Sequence, residues 1–407
     1  ADYQELAYLI AWAAVRDKFC DPAVHGANWL KVKDKYRLAA RNAPAWSIFE
    51  KVMQMMIGEV DGSHLGFYGS SSSKKEWNSS SSKHSWTVTT AHIGARFDTS
   101  SNKEAWIVKD VIANSPADLG ESGLMPGDQV FAIDGKAVNS DVQYTDVMNV
   151  GLPHDFKVEF LRKGKKKIVY LKGENFSHIR TLLRKAEIKA TREYVRSKGN
   201  FGYINIEAMD SNELTKFMDG IYAEGFDKDG LVVDVRFNRG GYIADKVLNV
   251  LCGPDHSRAL FRGMGDKEGY LFSYWGRPVL SKIPLVVLIN HECASNAEIF
   301  SNAIKQLKRG KLVGIETSGK VIATRNGPLL DIGTFRHAHI GWFQWDGTDM
   351  ESVGVKPDVE IDRTPADIVA GRDPQLDKGL EILKEEVAKK KNRKPLKYAP
   401  AGIPVRK

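Results

Sequence analysis

Cysteine is scarce in this chain: three residues in 407, Cys20, Cys252 and Cys293, far apart and odd in number. That pattern excludes a disulfide framework and leaves no close thiolate pair for a metal. It fits a reducing compartment, so a cytoplasmic location is expected. No HExxH string or comparable spacing occurs among the histidines and acidic residues, so no metal or organic cofactor is implied. Long apolar runs are missing as well. The stretch 6–15 is too short to cross a bilayer and runs into Arg16, Asp17 and Lys18, so it reads as a core-facing helix. No signal peptide and no membrane association are expected. Zinc-finger spacing and the aromatic–glycine–basic signature of an RNA-binding sheet are also absent. The formal charge of +8 concentrates in two runs, 162–167 and 389–394. Solvated basic surface accounts for both, and no nucleic-acid partner is expected.

What is present suits a folded protein of several domains. Hydrophobic residues make up 42% and charged residues 27%, enough apolar material for substantial cores. The chain begins with alanine, as expected of a processed or excised product. Residues 1–68 read as a helical domain, with Leu6, Leu9, Ile10 and Trp12, and later Val52, Met53, Met56 and Ile57, near helical spacing. Residues 69–85, GSSSSKKEWNSSSSKHS, form a serine-rich linker or loop with little to bury. Short beta-prone runs then fill 86–175. A connecting helix is expected over 176–199. Residues 200–390 read as an alpha/beta domain, whose runs 231–235 and 285–289 suit strands buried on both faces. A basic tail covers 391–407. The fold class is therefore multidomain, α+β and α/β.

Within the beta-prone segment, SPADLGESGLMPGDQVFAIDGKAV at 115–138 gives a short helix, a Pro126-Gly127-Asp128 turn, a strand and an Asp134-Gly135 turn. This order resembles a PDZ domain. The resemblance implies a peptide-binding edge and a loop of amides near His92, Ile93 and Gly94. That loop departs from the family's Gly-Leu-Gly-Phe form, so a domain that only positions its neighbours is the competing reading.

Two strand ends in the alpha/beta segment carry chemistry. LVVLINHECASNAEIF at 285–300 is a buried strand, a turn and a helix beginning near Ser295. A serine there lies beside unpaired helix amides and the positive end of the helix dipole. It can serve as a nucleophile beside an oxyanion site, or simply as a helix cap. VDVRFNRGG at 233–241 ends a second strand in a glycine pair, Gly240 and Gly241, which brings bare backbone close to a ligand.

Together, VVDVRFNRGG at 232–241, NHECASNAEIF at 290–300 and ESVGVKPD at 351–358 resemble the tricorn and tail-specific serine peptidase superfamily. KFCDPAVHGANW at 18–29, GEVDGSHLGFYG at 58–69 and the order of segments place the similarity with the catalytic half of the tricorn branch. The resemblance implies a serine endopeptidase or oligopeptidase that hydrolyses unfolded peptides through an acyl-enzyme. Ser295 matches the nucleophile, His64 the general base, Ser63 the supporting serine and Glu351 the carboxylate. Gly241 and Asn296 match the oxyanion amides; the resemblance is inexact there, since aspartate stands in the family at the position of Asn296. The resemblance further implies a homo-oligomer and downstream aminopeptidases as partners. The family's beta-propellers have no counterpart here, so a fragment or a shorter relative is expected.

Three alternatives stay open on sequence. Lys320, in ETSGKVIA at 316–323, resembles the lysine base of the tail-specific branch, which would make a Ser295–Lys320 dyad and a C-terminal processing peptidase. Asp266, with Glu268 beside it, is a candidate to read a basic side chain next to the cleaved bond, or an ordinary surface charge. The chain could also be a noncatalytic peptide-binding scaffold.

Overall fold

The computed structural model describes residues 1–70, 89–253, 255–259, 270–273, 280 and 282–392. Asp266, Glu268, most of the serine-rich stretch and the basic tail after residue 392 lie outside them. The chain divides into two compact units, one built from residues before 82 and after 194, the other from those between.

The first unit opens with three helices, α1 (Asp2–Lys18), α2 (Trp29–Arg41) and α3 (Trp46–Gly58), followed by strand β1 (Gly66–Gly69). Ala7, Tyr8, Ala11, Trp12 and Val15 recur at helical spacing along α1, and all are buried. The Asn28 side chain caps α2 by accepting from Lys31 N. The start of the serine-rich stretch is tied down: Gly69 ends β1, and Ser70 N donates to the Ile332 carbonyl at 2.9 Å.

The middle unit is rich in beta structure. It contains β2 (Ala95–Asp98), β3 (Trp106–Val111), β4 (Gln129–Ile133), β5 (Lys136–Ala137), the short helix α4 (Tyr144–Met148), β6 (Asp155–Arg162) and β7 (Lys165–Lys172). The order is β2-β3-β4-β6-β7, with β5 paired to β4. The helix expected before the Pro126-Gly127 turn is only a 3-10 turn, Gly120–Ser122. At that turn the buried Asp128 accepts two hydrogen bonds from Arg162, at 2.8 and 2.6 Å. Near His92 the loop amides are already engaged: His92 N donates to the Glu174 carbonyl at 2.8 Å, and Gly94 N donates to His92 Nδ1 at 2.8 Å. Helix α5 (Phe176–Ser197) follows.

The rest of the first unit is a parallel sheet covered by helices. In chain order it contains β8 (Phe201–Asn205), α6 (Ser211–Gly220), β9 (Gly230–Asp234), α7 (Ala244–Cys252), the antiparallel pair β10 (Asp255–Ala259) and β11 (Tyr270–Ser273), and β12 (Leu285–Ile289). Helix α8 (Asn296–Gln306), β13 (Lys311–Gly314), β14 (Ala323–Leu329), β15 (Gly333–Ile340), β16 (Val359–Glu360), α9 (Pro365–Val369) and α10 (Pro374–Lys391) complete it. The parallel order is β16-β13-β12-β9-β8. Every residue of β9 and β12 is buried, as continuous apolar strands require.

The helical segment does not stand apart from the rest of this unit. β1 pairs with β15, which pairs with β14, and Phe67, Leu329 and Phe335 from these strands share one core with Trp46, Phe49 and Met53 of α3. Each such side chain contributes about 1.5–3 kcal/mol on burial. The turn between α3 and β1, which carries Ser63 and His64, is thereby fixed against the segments around β14 and β15.

Candidate active site

Two turns leave the C-terminal ends of the neighbouring strands β9 and β12, where open parallel sheets present their ligand crevices. After β12 the chain crosses residues 290–294 and enters α8 with Ser295 at the N-cap. Ordinary N-caps have extended backbone; Ser295 has φ 56° and ψ −125°. That conformation costs of order 1–3 kcal/mol for a residue with a β-carbon, a cost that capping alone does not require. Ser295 is half-buried. Its amide is held by two acceptors, the Lys320 carbonyl at 2.7 Å and the Glu298 carboxylate at 3.1 Å.

The turn after β9 is shaped by Asn238, which is fully buried. Its side-chain oxygen accepts from Gly240 N at 2.8 Å, its side-chain amide donates to the Ile206 carbonyl at 2.9 Å, and its own carbonyl accepts from Ala294 N at 3.0 Å. Gly240 has φ 96°, and a β-carbon there would lie 2.6 Å from Ser295 Cβ and 2.9 Å from Asn296 N. The bare backbone of Gly240 is what lets the two turns touch. Among the described residues, the amides of Gly241 and Asn296 donate to no protein acceptor. The Asn296 side-chain oxygen is occupied by Ala244 N at 2.8 Å. Two uncommitted N–H groups on abutting turns, one at a helix N-terminus, can stabilise a developing oxyanion.

Ser63 and His64 reach this place from the front of the chain. Glu351 is buried and accepts four hydrogen bonds: from Ser63 N at 2.6 Å, Ser63 Oγ at 3.1 Å, Val321 N at 2.9 Å and Ile322 N at 3.1 Å. It thereby clamps the Ser63 turn to the chain that leads from Lys320 into β14. His64, with φ 60°, sets Nε2 at 3.2 Å from the Lys320 carbonyl, the same oxygen that accepts the Ser295 amide. A carbonyl oxygen only accepts, so this contact requires the proton on Nε2. Burial pushes the His64 pKa below its ordinary value, and the nearby charge of Arg336 adds to the effect. The Lys320 carbonyl, Glu351 and Glu298 oppose it.

Lys320 thus takes part through its backbone. Its side chain is exposed, whereas a lysine that acts as a base depends on desolvation. Cys293, two residues before Ser295, is buried, donates to the Val235 carbonyl at 3.0 Å, and has its pKa pushed up to about 12, mainly by burial. It is chemically quiet.

Glu298 was not among the residues singled out by sequence. Its side chain is fully buried and receives Thr317 Oγ1 at 2.5 Å and Gly319 N at 2.7 Å on one oxygen. The other oxygen receives Lys320 N at 2.8 Å, Ser295 N at 3.1 Å and Ser318 Oγ at 3.4 Å. One carboxylate therefore ties the Ser295 backbone to the segment whose carbonyl meets His64. The signal for it existed: Ser295-Asn-Ala-Glu298 is the S-x-x-E capping pattern. Asn238 left no comparable trace. Among the described residues no cluster of three or more His, Cys, Asp or Glu side chains could hold a metal ion, and no helix is long and apolar enough to cross a membrane.

Comparison with known proteins finds relatives across most of the chain. Residues 200–361 match the family model for peptidase family S41, and residues 5–58 match that for the tricorn protease C1 domain. The tricorn protease of Thermoplasma acidophilum is 28% identical over 396 residues, which is 93% of this chain and 34% of that protein. A tricorn protease homolog of Saccharolobus solfataricus is 29% identical over 374 residues, 87% of this chain and 32% of the relative. The chain thus spans about a third of the length of these relatives. A crystal structure of the tricorn protease superposes with a TM-score of 0.73 at 25% identity, covering 95% of this chain and 37% of that one. With the S41 match over the parallel sheet, the C1 match over the helices and the superposition across both, the chain is related to the tricorn protease and to the S41 peptidases.

Proposed function

We propose that this chain hydrolyses peptide bonds through an acyl-enzyme formed on Ser295. The observation that carries the reading is the Lys320 carbonyl oxygen, which engages the Ser295 amide at 2.7 Å and His64 Nε2 at 3.2 Å, so that hydroxyl-bearing turn and imidazole meet at one atom. His64, whose Nε2 proton is held by the Lys320 carbonyl, takes the Ser295 hydroxyl proton on Nδ1 as Oγ attacks the peptide carbonyl carbon. The amides of Gly241 and Asn296 receive the negative charge on the carbonyl oxygen. His64 then passes its proton to the leaving amine nitrogen as the C–N bond breaks. Water repeats the cycle on the ester and releases the acid. Ser63 and Glu351 hold the turn that carries His64, and the carboxylate favours the imidazolium that forms transiently.

Extended peptides are the fitting substrates, because a half-buried nucleophile between two turns needs a bare main chain to approach it. The beta-rich middle unit is PDZ-like on this reading. With the His92 and Gly94 amides already bonded, it acts as a positioning or edge-pairing unit rather than as a receptor for chain termini.

A fluorophosphonate probe and a quenched peptide library test the assignment. The parent chain should be labelled and active, Ser295→Ala should lose both, His64→Ala should lose turnover by about three orders of magnitude or more, and Lys320→Ala should retain most of it. Loss in Lys320→Ala with retention in His64→Ala would replace the base and revive the lysine dyad. An unlabelled, inactive parent would leave the noncatalytic scaffold.

A further inference from the structure

The small antiparallel sheet beside His64 presents two faces of different chemistry. Phe67 and Phe335 are register partners, and both are buried in the helical core. The adjacent pair, Gly66 and Arg336, therefore projects to the other face. His64 lies two residues before Gly66. Arg336 is half-buried there, and its Nε donates to Thr324 Oγ1 at 2.6 Å. Among the described residues no carboxylate pairs with its guanidinium, and its two terminal nitrogens have no protein acceptor. An arginine held by one hydroxyl and otherwise uncommitted presents a ready fork for a planar anion.

The location gives that cation a chemical consequence. Its charge disfavours protonation of His64, yet the proposed reaction protonates His64 as Ser295 attacks. An anion seated on the guanidinium would offset that opposition and align the peptide in the same contact.

We propose that Arg336 is a specificity residue, forming a subsite that binds a carboxylate of the peptide substrate. The carboxylate is either a terminal one or an aspartate or glutamate side chain near the cleaved bond; the chemistry is shared. The inference deepens the peptidase reading and rests on it.

Equilibrium binding to the Ser295→Ala variant tests the subsite without requiring turnover. The probes are a short peptide acid, its C-terminal amide, and matched peptides carrying glutamate or glutamine internally. The carboxylate forms should bind about 10–100-fold more tightly than their neutral partners, the range of a charge-assisted bidentate contact. Adding Arg336→Gln should bring that ratio close to one, whereas Arg336→Lys, which keeps the charge and loses the fork, should leave an intermediate ratio. Selectivity for acid over amide identifies the terminal source; selectivity for glutamate over glutamine identifies the side-chain source. Equal binding of charged and neutral peptides, or a preference that survives Arg336→Gln, overturns the proposal. Absence of Ser295-dependent cleavage in the parent would instead strike the peptidase reading, so the two failures are separable.

Discussion

Replacing Glu298 by glutamine keeps the size of a fully buried side chain and removes its charge. The carboxylate accepts from five donors, and an amide nitrogen cannot accept from any of them. The least costly orientation turns the new nitrogen toward Thr317, whose hydroxyl can rotate to accept it. That choice leaves Gly319 N without its 2.7 Å partner. The opposite choice abandons the amides of both Ser295 and Lys320. One orphaned buried N–H costs about 1–3 kcal/mol, and turning charge-assisted bonds into neutral ones removes about 1 kcal/mol more. A total of about 2–4 kcal/mol is then shared between stability and the barrier to acylation. If half falls on the barrier, kcat drops by roughly 5–30-fold with KM little changed. The remainder lowers Tm by several degrees, at about 2–4 °C per kcal/mol for a unit of this size. A purely structural role would stop there. Glu298 also favours the protonated form of His64, so Glu298→Gln should move the acid limb of kcat/KM to lower pH. Stopped-assay kinetics across pH, together with thermal denaturation, read all three effects. An unchanged kcat with an unmoved acid limb would refute the account of Glu298 as the group that positions the Ser295 and Lys320 backbones.

Gly240→Ala puts a β-carbon 2.6 Å from Ser295 Cβ and 2.9 Å from Asn296 N, in a backbone region hostile to side chains. The abutting turns must part, and a loss in kcat of about 100-fold, comparable to removing one oxyanion donor, is expected in steady-state assays; wild-type turnover would show that the contact between the turns is dispensable. In the unsubstituted protein His64 must be neutral to accept a proton. Burial and Arg336 lower its pKa from the ordinary 6.5, so activity should rise with pH through a midpoint below 6.5, and a pH–rate profile with its acid limb at 7 or above would contradict that environment.

The parallel sheet was legible because its strands bury both faces. The run 285–289 is β12 as observed, and 231–235 is displaced by a single residue from β9. The helices of the first sixty residues were legible because their apolar positions repeat every three or four residues, but in α1 the buried face runs through Ala7, Tyr8 and Ala11, while Leu6 and Ile10, read as core positions, are exposed. β14 was not, since Ala-Thr-Arg-Asn-Gly-Pro-Leu has the composition of a loop and becomes a strand only by pairing with β15. The same tertiary override hid the union of the helical and alpha/beta segments through β1, β15 and β14. At the site, the motifs around Ser295, Ser63-His64, Glu351 and the glycine pair could be read from residue order. The use of Lys320 through its carbonyl could not, because a lysine in a polar turn advertises its side chain. Asn238 and Arg336 were equally silent, one a buried amide between two turns, the other a charge whose meaning depends on the strand beside it.

The bond from Ser63 to Glu351 closes a span of 288 positions. At a translation rate of about 5–20 residues per second, the carboxylate leaves the ribosome roughly 15–60 s after the histidine it helps to place. Throughout that interval the growing polypeptide holds an imidazole and, toward the end, a serine, with nothing to draw their turns together. On the proposed function, drawing the reacting groups from stretches so far apart in the chain keeps them separated until the polypeptide between them has folded.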